Sequence, residues 1–237
     1  MPALLSIPEA AKELKLHPSR VRALASAGSL PAVKIGHRWA VDRSAVAEHW
    51  RRLHAVGRPF EPGNAWALLF LASGRDADWL DPSSHWRLRQ ALARDGLVGL
   101  APRLDRRGSP RRFRVHPGEI RYLLEDPRLV RSGISAVSEH DLGLVSGQEA
   151  DGYIRENDLA DLQREHAMQP AELVEGNVLV RVLPDKAWHF VDERVAPLAA
   201  VALDLAEDPD PRSRRAGQAR LKAIDAQLRS RPSSKFT

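Results

Sequence analysis

Ser19, Arg20 and Arg22 stand within one turn of each other, and Lys34, His37, Arg38 and Arg43 follow closely in the chain. A guanidinium presents five donors in a fixed fork that fits a guanine edge or a phosphate in bidentate fashion. An ammonium or an imidazole offers a compact donor for phosphate, and a hydroxyl can bond to either. Carried on a helix, such side chains can read base edges. Carried on a loop or hairpin, they fix position on a sugar-phosphate backbone. The expected roles are base readout from Ser19, Arg20 and Arg22, and phosphate contact from Lys34, His37, Arg38 and Arg43. A second basic set, Arg106, Arg107, Arg111 and Arg112, flanked by Arg103 and Arg114, crowds residues 103–114.

These side chains need elements to hold them, and the first fifty residues contain the signals. Ser6, Pro8 and Glu9 make a Ser-x-x-Glu capping box with proline in the first turn, so a helix begins near Pro8. Its apolar side is Ala10, Ala11 and Leu14. His17-Pro18 restarts the chain as a second helix to about Ala27, with Val21, Leu24 and Ala25 inward, Ser19, Arg20 and Arg22 outward, and Gly28 as the left-handed cap. Beyond Leu30-Pro31 an alternation of period two predicts a hairpin turning at Gly36-His37. Its expected phasing puts Val33, Ile35, Trp39 and Val41 inward, and Lys34 and Arg38 outward. A third helix from about Ser44, with Val46, Trp50 and Leu53 on one side, is expected to close the core.

The string of helix, turn, helix, basic hairpin and final helix, with Gly28, Leu30, Pro31, Lys34, Gly36 and Arg38 at its marker positions, resembles the excisionase-type, MerR-like winged helix-turn-helix over roughly residues 4–52. The resemblance implies a recognition helix in the major groove of double-stranded DNA and a basic wing beside it. The plainer alternative is that Arg20, Arg22, Lys34 and Arg38 are solvated residues of a protein-interaction module.

The remainder divides, on pattern, into further units. Prolines and glycines between Ala55 and Asn64 predict a linker after a first domain of residues 1–56. Residues 65–125 read as a second winged-helix-like module: a helix over Ala65–Ser73, another from Pro82 to about Arg94, then a hairpin with its turn at 105–110. On that reading Arg106, Arg107, Arg111 and Arg112 form a second wing along DNA. The alternative is a solubilising loop, or arginines paired with the acidic second half of the chain. Residues 126–230 read as an α+β domain with helices at 133–140, 151–167, 196–207 and 212–229 and a strand over Asn177–Leu183, and 231–237 as a disordered tail. The fold class expected for the whole is α+β, mainly helical.

The second half is similar, more loosely, to the AbiEi-like antitoxins of type IV toxin-antitoxin systems, through Ser132, Gly133, Ala136, Leu203, Asp204, Leu205, Asp210, Arg212 and Ala216. That resemblance implies an autoregulatory repressor acting on its own promoter or operator, with a cognate nucleotidyltransferase-type toxin as partner and a second copy of the chain as a further one. An exposed helix-end ion pair between Asp204 and Arg212 is the ordinary structural alternative for those two residues. Two other functions stay open: an architectural or recombination accessory factor of excisionase kind, and a mainly toxin-neutralising interaction protein.

Charge agrees with a polyanionic partner for the front of the chain. Residues 1–125 hold 21 Lys/Arg against 12 Asp/Glu, a net +9, and residues 126–237 hold 15 against 19, a net −4. At 237 residues and 43% hydrophobic content the chain can bury a sizeable core. No stretch approaches the ~20 apolar residues of a membrane helix, and no secretory leader is evident, so a cytoplasmic location without membrane contact is expected. With no cysteine there is neither a disulfide nor a thiolate metal site. The nine histidines lack metal-ligand spacing, and neither a Gly-rich phosphate loop nor a Gly-x-Ser-x-Gly elbow is present. No enzymatic activity, cofactor or metal is expected.

Overall fold

The computed structural model describes residues 4–27, 30–43, 45–46, 49, 57–144, 147–171 and 176–230. Gly28, Ser44, Trp50, Leu53, the start of the expected linker and the tail at 231–237 lie outside them. Two hydrophobic assemblies organise the described chain, one built from residues 5–46 and the other from residues 60–228.

The first assembly follows the capping signals. Strand β1 (Leu4–Ser6) leads into helix α1 (Ile7–Leu14), where the Ser6 hydroxyl accepts the Glu9 amide at 3.4 Å and Glu9 accepts the Ser6 amide at 2.8 Å. Lys15, in the left-handed region at φ 52°, ends α1, and the Leu16 amide donates back to the Ala11 carbonyl at 3.0 Å. Helix α2 (Pro18–Ser26) starts from His17, whose Nδ1 accepts the Ser19 amide. Strands β2 (Ala32–Ile35) and β3 (Arg38–Asp42) form a two-residue hairpin, and β1 pairs with the other edge of β3. Gly36 has φ 60°, as the first residue of a tight II′-type connection requires. Ile7, Leu14, Val21, Leu30, Ala32 and Val41 are buried in one cluster, joined by Ala45 and Val46 from the chain after β3.

In β2 the expected phasing is inverted. Ala32 is buried, whereas Val33 is 46% and Ile35 60% exposed. The register explains this. Ala32 pairs with the buried Val41 and Lys34 with Trp39, which puts Val33, Ile35 and Arg38 together on the opposite side of the sheet. Pairing to β3, and not the alternation within β2 alone, sets the phase.

The second assembly is a mixed five-stranded sheet between two unequal helical layers. Its strands are β4 (Ser109–Arg114), β5 (Val130–Arg131), β6 (Ala150–Arg155), β7 (Gln169–Pro170) and β8 (Val178–Leu183), in the order β5-β6-β8-β4-β7, with only β6 and β8 parallel. The larger layer holds α3 (Pro62–Ala72), α4 (Pro82–Leu100), α7 (Leu198–Ala206) and α8 (Pro211–Ser230), and the smaller holds α5 (Ile120–Glu125) and α6 (Leu159–Glu165). Alternate residues sort to the two sides: Ala150, Ile154, Val178, Val180 and Val182 face the small layer, and Tyr153 and Leu183 the large one.

This architecture overturns the division into domains at 65–125 and 126–230. Buried residues of α3 and α4 share one core with those of α7 and α8, and β4 pairs with β8 from far along the chain. The hairpin expected around 105–110 does not form. Leu104 is wholly buried, the chain makes two short 3-10 turns at 101–103 and 105–107, and only then enters β4. The expected helix over 151–167 is strand β6 followed by α6, because Gly152 lies against the Val130 carbonyl in the sheet. The expected helix over 133–140 is reduced to a 3-10 turn at 133–136, beginning at Gly133 with φ 48°. Even the expected linker is partly docked, since the Phe60 amide donates to the Arg103 carbonyl at 2.9 Å. The fold class itself holds: α+β, mainly helical, with the helix-turn-helix first.

Candidate nucleic-acid interface

Helix α2 and the β2–β3 hairpin present the first basic set. Val21 and Ala25 anchor α2 in the core, which turns Ser19, Arg20 and Arg22 to solvent. Ser19 is held by the Nδ1 of His17, 2.7 Å from its hydroxyl. Lys34, His37 and Arg38 are exposed on the hairpin, the Lys34 ammonium lying 6.0 Å from the Trp39 ring centroid. Among the described residues, Arg20, Arg22, Lys34, His37 and Arg38 form no salt bridge. Arg43 differs, for its Nη2 lies 2.9 Å from Glu13 Oε1.

Four cations and the His37 imidazole on one small scaffold, without carboxylate partners among the described residues, leave the local field positive and the donors available to phosphate. The sequence signals anticipate the exposure of these residues, though not the side of the sheet on which Lys34 stands. They miss two supporting ones: Glu13, which holds Arg43, and His17, which orients Ser19. For His17 the clue was its place just before the Pro18 helix start, whereas nothing local marked Glu13 as a partner of Arg43.

The second basic set has a different fate. Arg107 is removed from the candidate interface, for it is 3% exposed and serves the core. Its Nη2 lies 2.8 Å from Asp204 and 2.5 Å from Glu207, its Nε is 3.2 Å from the Tyr153 hydroxyl, and its carbonyl accepts the Trp66 indole at 2.9 Å. Asp204 also takes Arg181 Nε at 3.1 Å, the Tyr153 hydroxyl at 2.9 Å and the Ser132 hydroxyl at 2.5 Å, while Arg181 pairs with Asp151. Burial alone would lower the Arg107 pKa, but Glu207, Tyr153 and Asp204 raise it well above the ordinary guanidinium value. Burial, reinforced by Asp204, pushes the Asp151 carboxyl up to about 7 against the pull of Arg181.

The remaining arginines disperse. Arg106 is exposed near Glu61, 3.8 Å away. Arg111 and Arg112 are adjacent in β4 and therefore point to opposite sides of the sheet, Arg111 exposed and Arg112 half-buried. Burial lowers the Arg112 guanidinium. A continuous second wing is not formed.

The residues that carry the looser resemblance are also structural. Ser132 and Asp204 belong to the buried network, and the Asp210 carboxylate caps α8, accepting the amides of Arg212 at 3.1 Å and Ser213 at 2.9 Å. Asp204 pairs with Arg107 and Arg181, so the expected ion pair with Arg212 is replaced.

Among the described residues, no group of three or more His, Asp or Glu side chains could hold a metal ion, and no helix is long and apolar enough to cross a membrane. Residues 4–54 match the family model described as a helix-turn-helix domain. No curated protein and no solved structure matches the chain. The amino-terminal segment is thus a helix-turn-helix domain of the excisionase type, and DNA binding is its general function.

Proposed function

We propose that the chain is a sequence-specific transcriptional regulator that represses its own promoter in the manner of an antitoxin, with base readout from Ser19, Arg20 and Arg22 and phosphate contact from Lys34, His37 and Arg38. The observation that carries this reading is the set of exposed cations on α2 and the wing that have no carboxylate partner among the described residues, within a matched helix-turn-helix segment. Arg43 adds a phosphate contact only by exchanging Glu13 for DNA. Arg106 and Arg111, exposed on the second assembly, extend the footprint if the duplex runs past the first domain. Arg112, half-buried, would do so less readily. On this reading the protein is no enzyme and needs no cofactor, it works in the cytoplasm, and the second assembly carries the partner contact, whether a nucleotidyltransferase-type toxin or a second copy of the chain.

Footprinting of the full chain on its own upstream region tests the reading. Protection of one inverted or direct repeat is expected. Several adjacent sites on a curved duplex would instead favour an accessory factor of excisionase kind, and no protection at low salt would remove the regulatory reading.

A further inference from the structure

Ile35 is 60% exposed and Val33 46%, on the same side of the sheet as Arg38, at the tip of the hairpin where Lys34 and His37 flank them. Branched apolar side chains left in water beside cations are costly unless something covers them. Among the described residues, no carboxylate pairs with Lys34, His37 or Arg38. Whatever covers this tip is therefore polyanionic and has an apolar surface of its own. Duplex DNA meets both conditions at the minor groove, where deoxyribose faces form apolar walls between two rows of phosphates.

We propose that Ile35 is an apolar wedge of the wing, seated against deoxyribose in the minor groove and contributing affinity that does not depend on salt. The dimensions allow it. Paired strands lie about 4.8 Å apart axis to axis, so a two-stranded ribbon is too wide for a minor groove of about 6 Å, and only side chains at its tip, those of Ile35 and Arg38, enter. Ile35 pairs directly with Arg38, so entry of the apolar side chain brings the Arg38 guanidinium to the groove edge. A β-branched side chain in a strand has few rotamers to lose on binding. Val33, two residues deeper on the same side, rests against the backbone outside the groove.

The inference rests on the DNA-binding reading, and the test separates the two. A duplex is first selected by the full wild-type chain from a random pool, and its affinity is then measured against salt for wild type, Ile35→Ala, Ile35→Leu and Arg38→Ala. Ile35→Ala is expected to weaken binding about five- to tenfold with an unchanged slope of log K against log salt, and Ile35→Leu to restore it to within about twofold. Arg38→Ala is expected to reduce the slope by about 0.9. Equal affinity of Ile35→Ala and wild type, or a reduced slope in Ile35→Ala, overturns the wedge while leaving DNA binding intact. A change of oligomeric state in Ile35→Ala without DNA, at unchanged DNA affinity, overturns it in favour of a protein contact. Failure of the wild type to enrich any duplex overturns both. Should Ile35→Ala melt early, Ile35→Thr, which keeps the β-branched shape that a strand favours, takes its place, with weaker binding at unchanged slope expected and affinity equal to wild type overturning the wedge.

Discussion

Arginine is used in opposite ways in the two assemblies. On the helix-turn-helix, Arg20, Arg22 and Arg38 are exposed and without carboxylate partners among the described residues. In the second assembly, Arg107 and Arg181 are 3% and 5% exposed and tie the 3-10 turn before β4, strands β6 and β8, and helix α7 to Asp151, Asp204 and Glu207. A guanidinium that finishes its bonds inside the protein holds elements together. One that leaves them open is available to another molecule. Clustering in the sequence does not separate the cases, but pairing does.

The contrast can be broken in graded steps. Arg107→Ala should destabilise the protein by about 3–5 kcal/mol in urea denaturation, because the buried Asp204 carboxylate would keep Arg181 alone as its cation among the described residues. A loss below 1 kcal/mol would mean that water reaches the network. Gly217→Ala should cost about 1–3 kcal/mol by the same assay, since a Cβ there would lie 2.6 Å from the Ala202 carbonyl oxygen where α7 and α8 cross.

The pH dependence of stability has a definite sign. Asp151, raised to about 7 by burial, holds its proton in the folded state over a range where the unfolded chain has lost it, and burial raises Asp208 in the same direction. The Asp151 contribution to stability is therefore lost as pH rises through about 7 and recovered on acidification toward the ordinary carboxyl value, and Asp208 acts with the same sign. Asp151→Asn should flatten this slope in melts recorded between pH 5 and 8. Smallest of all, Glu13→Gln should change stability by no more than about 1 kcal/mol, as an exposed ion pair allows, while freeing Arg43.

The first assembly is legible in the sequence because its determinants are local. Ser6 and Glu9 cap one helix, Pro18 starts the next, and Gly36-His37 turns the hairpin, each acting within a few residues. What fails there is the phase of β2, which depends on cross-strand register to β3. The second assembly is poorly legible because its sheet joins strands distant in sequence, and β4 finds β8 only in the folded chain. One signal was nevertheless present: Asp151 and Arg181 are single charges inside otherwise apolar strands, AD-GYI and VLV-R-VL, a pattern that implies a buried pair. Arg107, by contrast, sits between Arg106 and Gly108 with no local sign of burial.

The dependence of DNA affinity on salt, measured for the full chain and for the variant Arg20→Ala, Arg22→Ala, Arg38→Ala at matched thermal stability, tests the central claim most directly. The expected result is a slope of log K against log salt reduced by about 0.9, from the phosphate contact of Arg38, together with a loss of affinity for the selected duplex from the base contacts of Arg20 and Arg22. An unchanged slope and affinity would contradict the assignment of DNA contact to α2 and the wing.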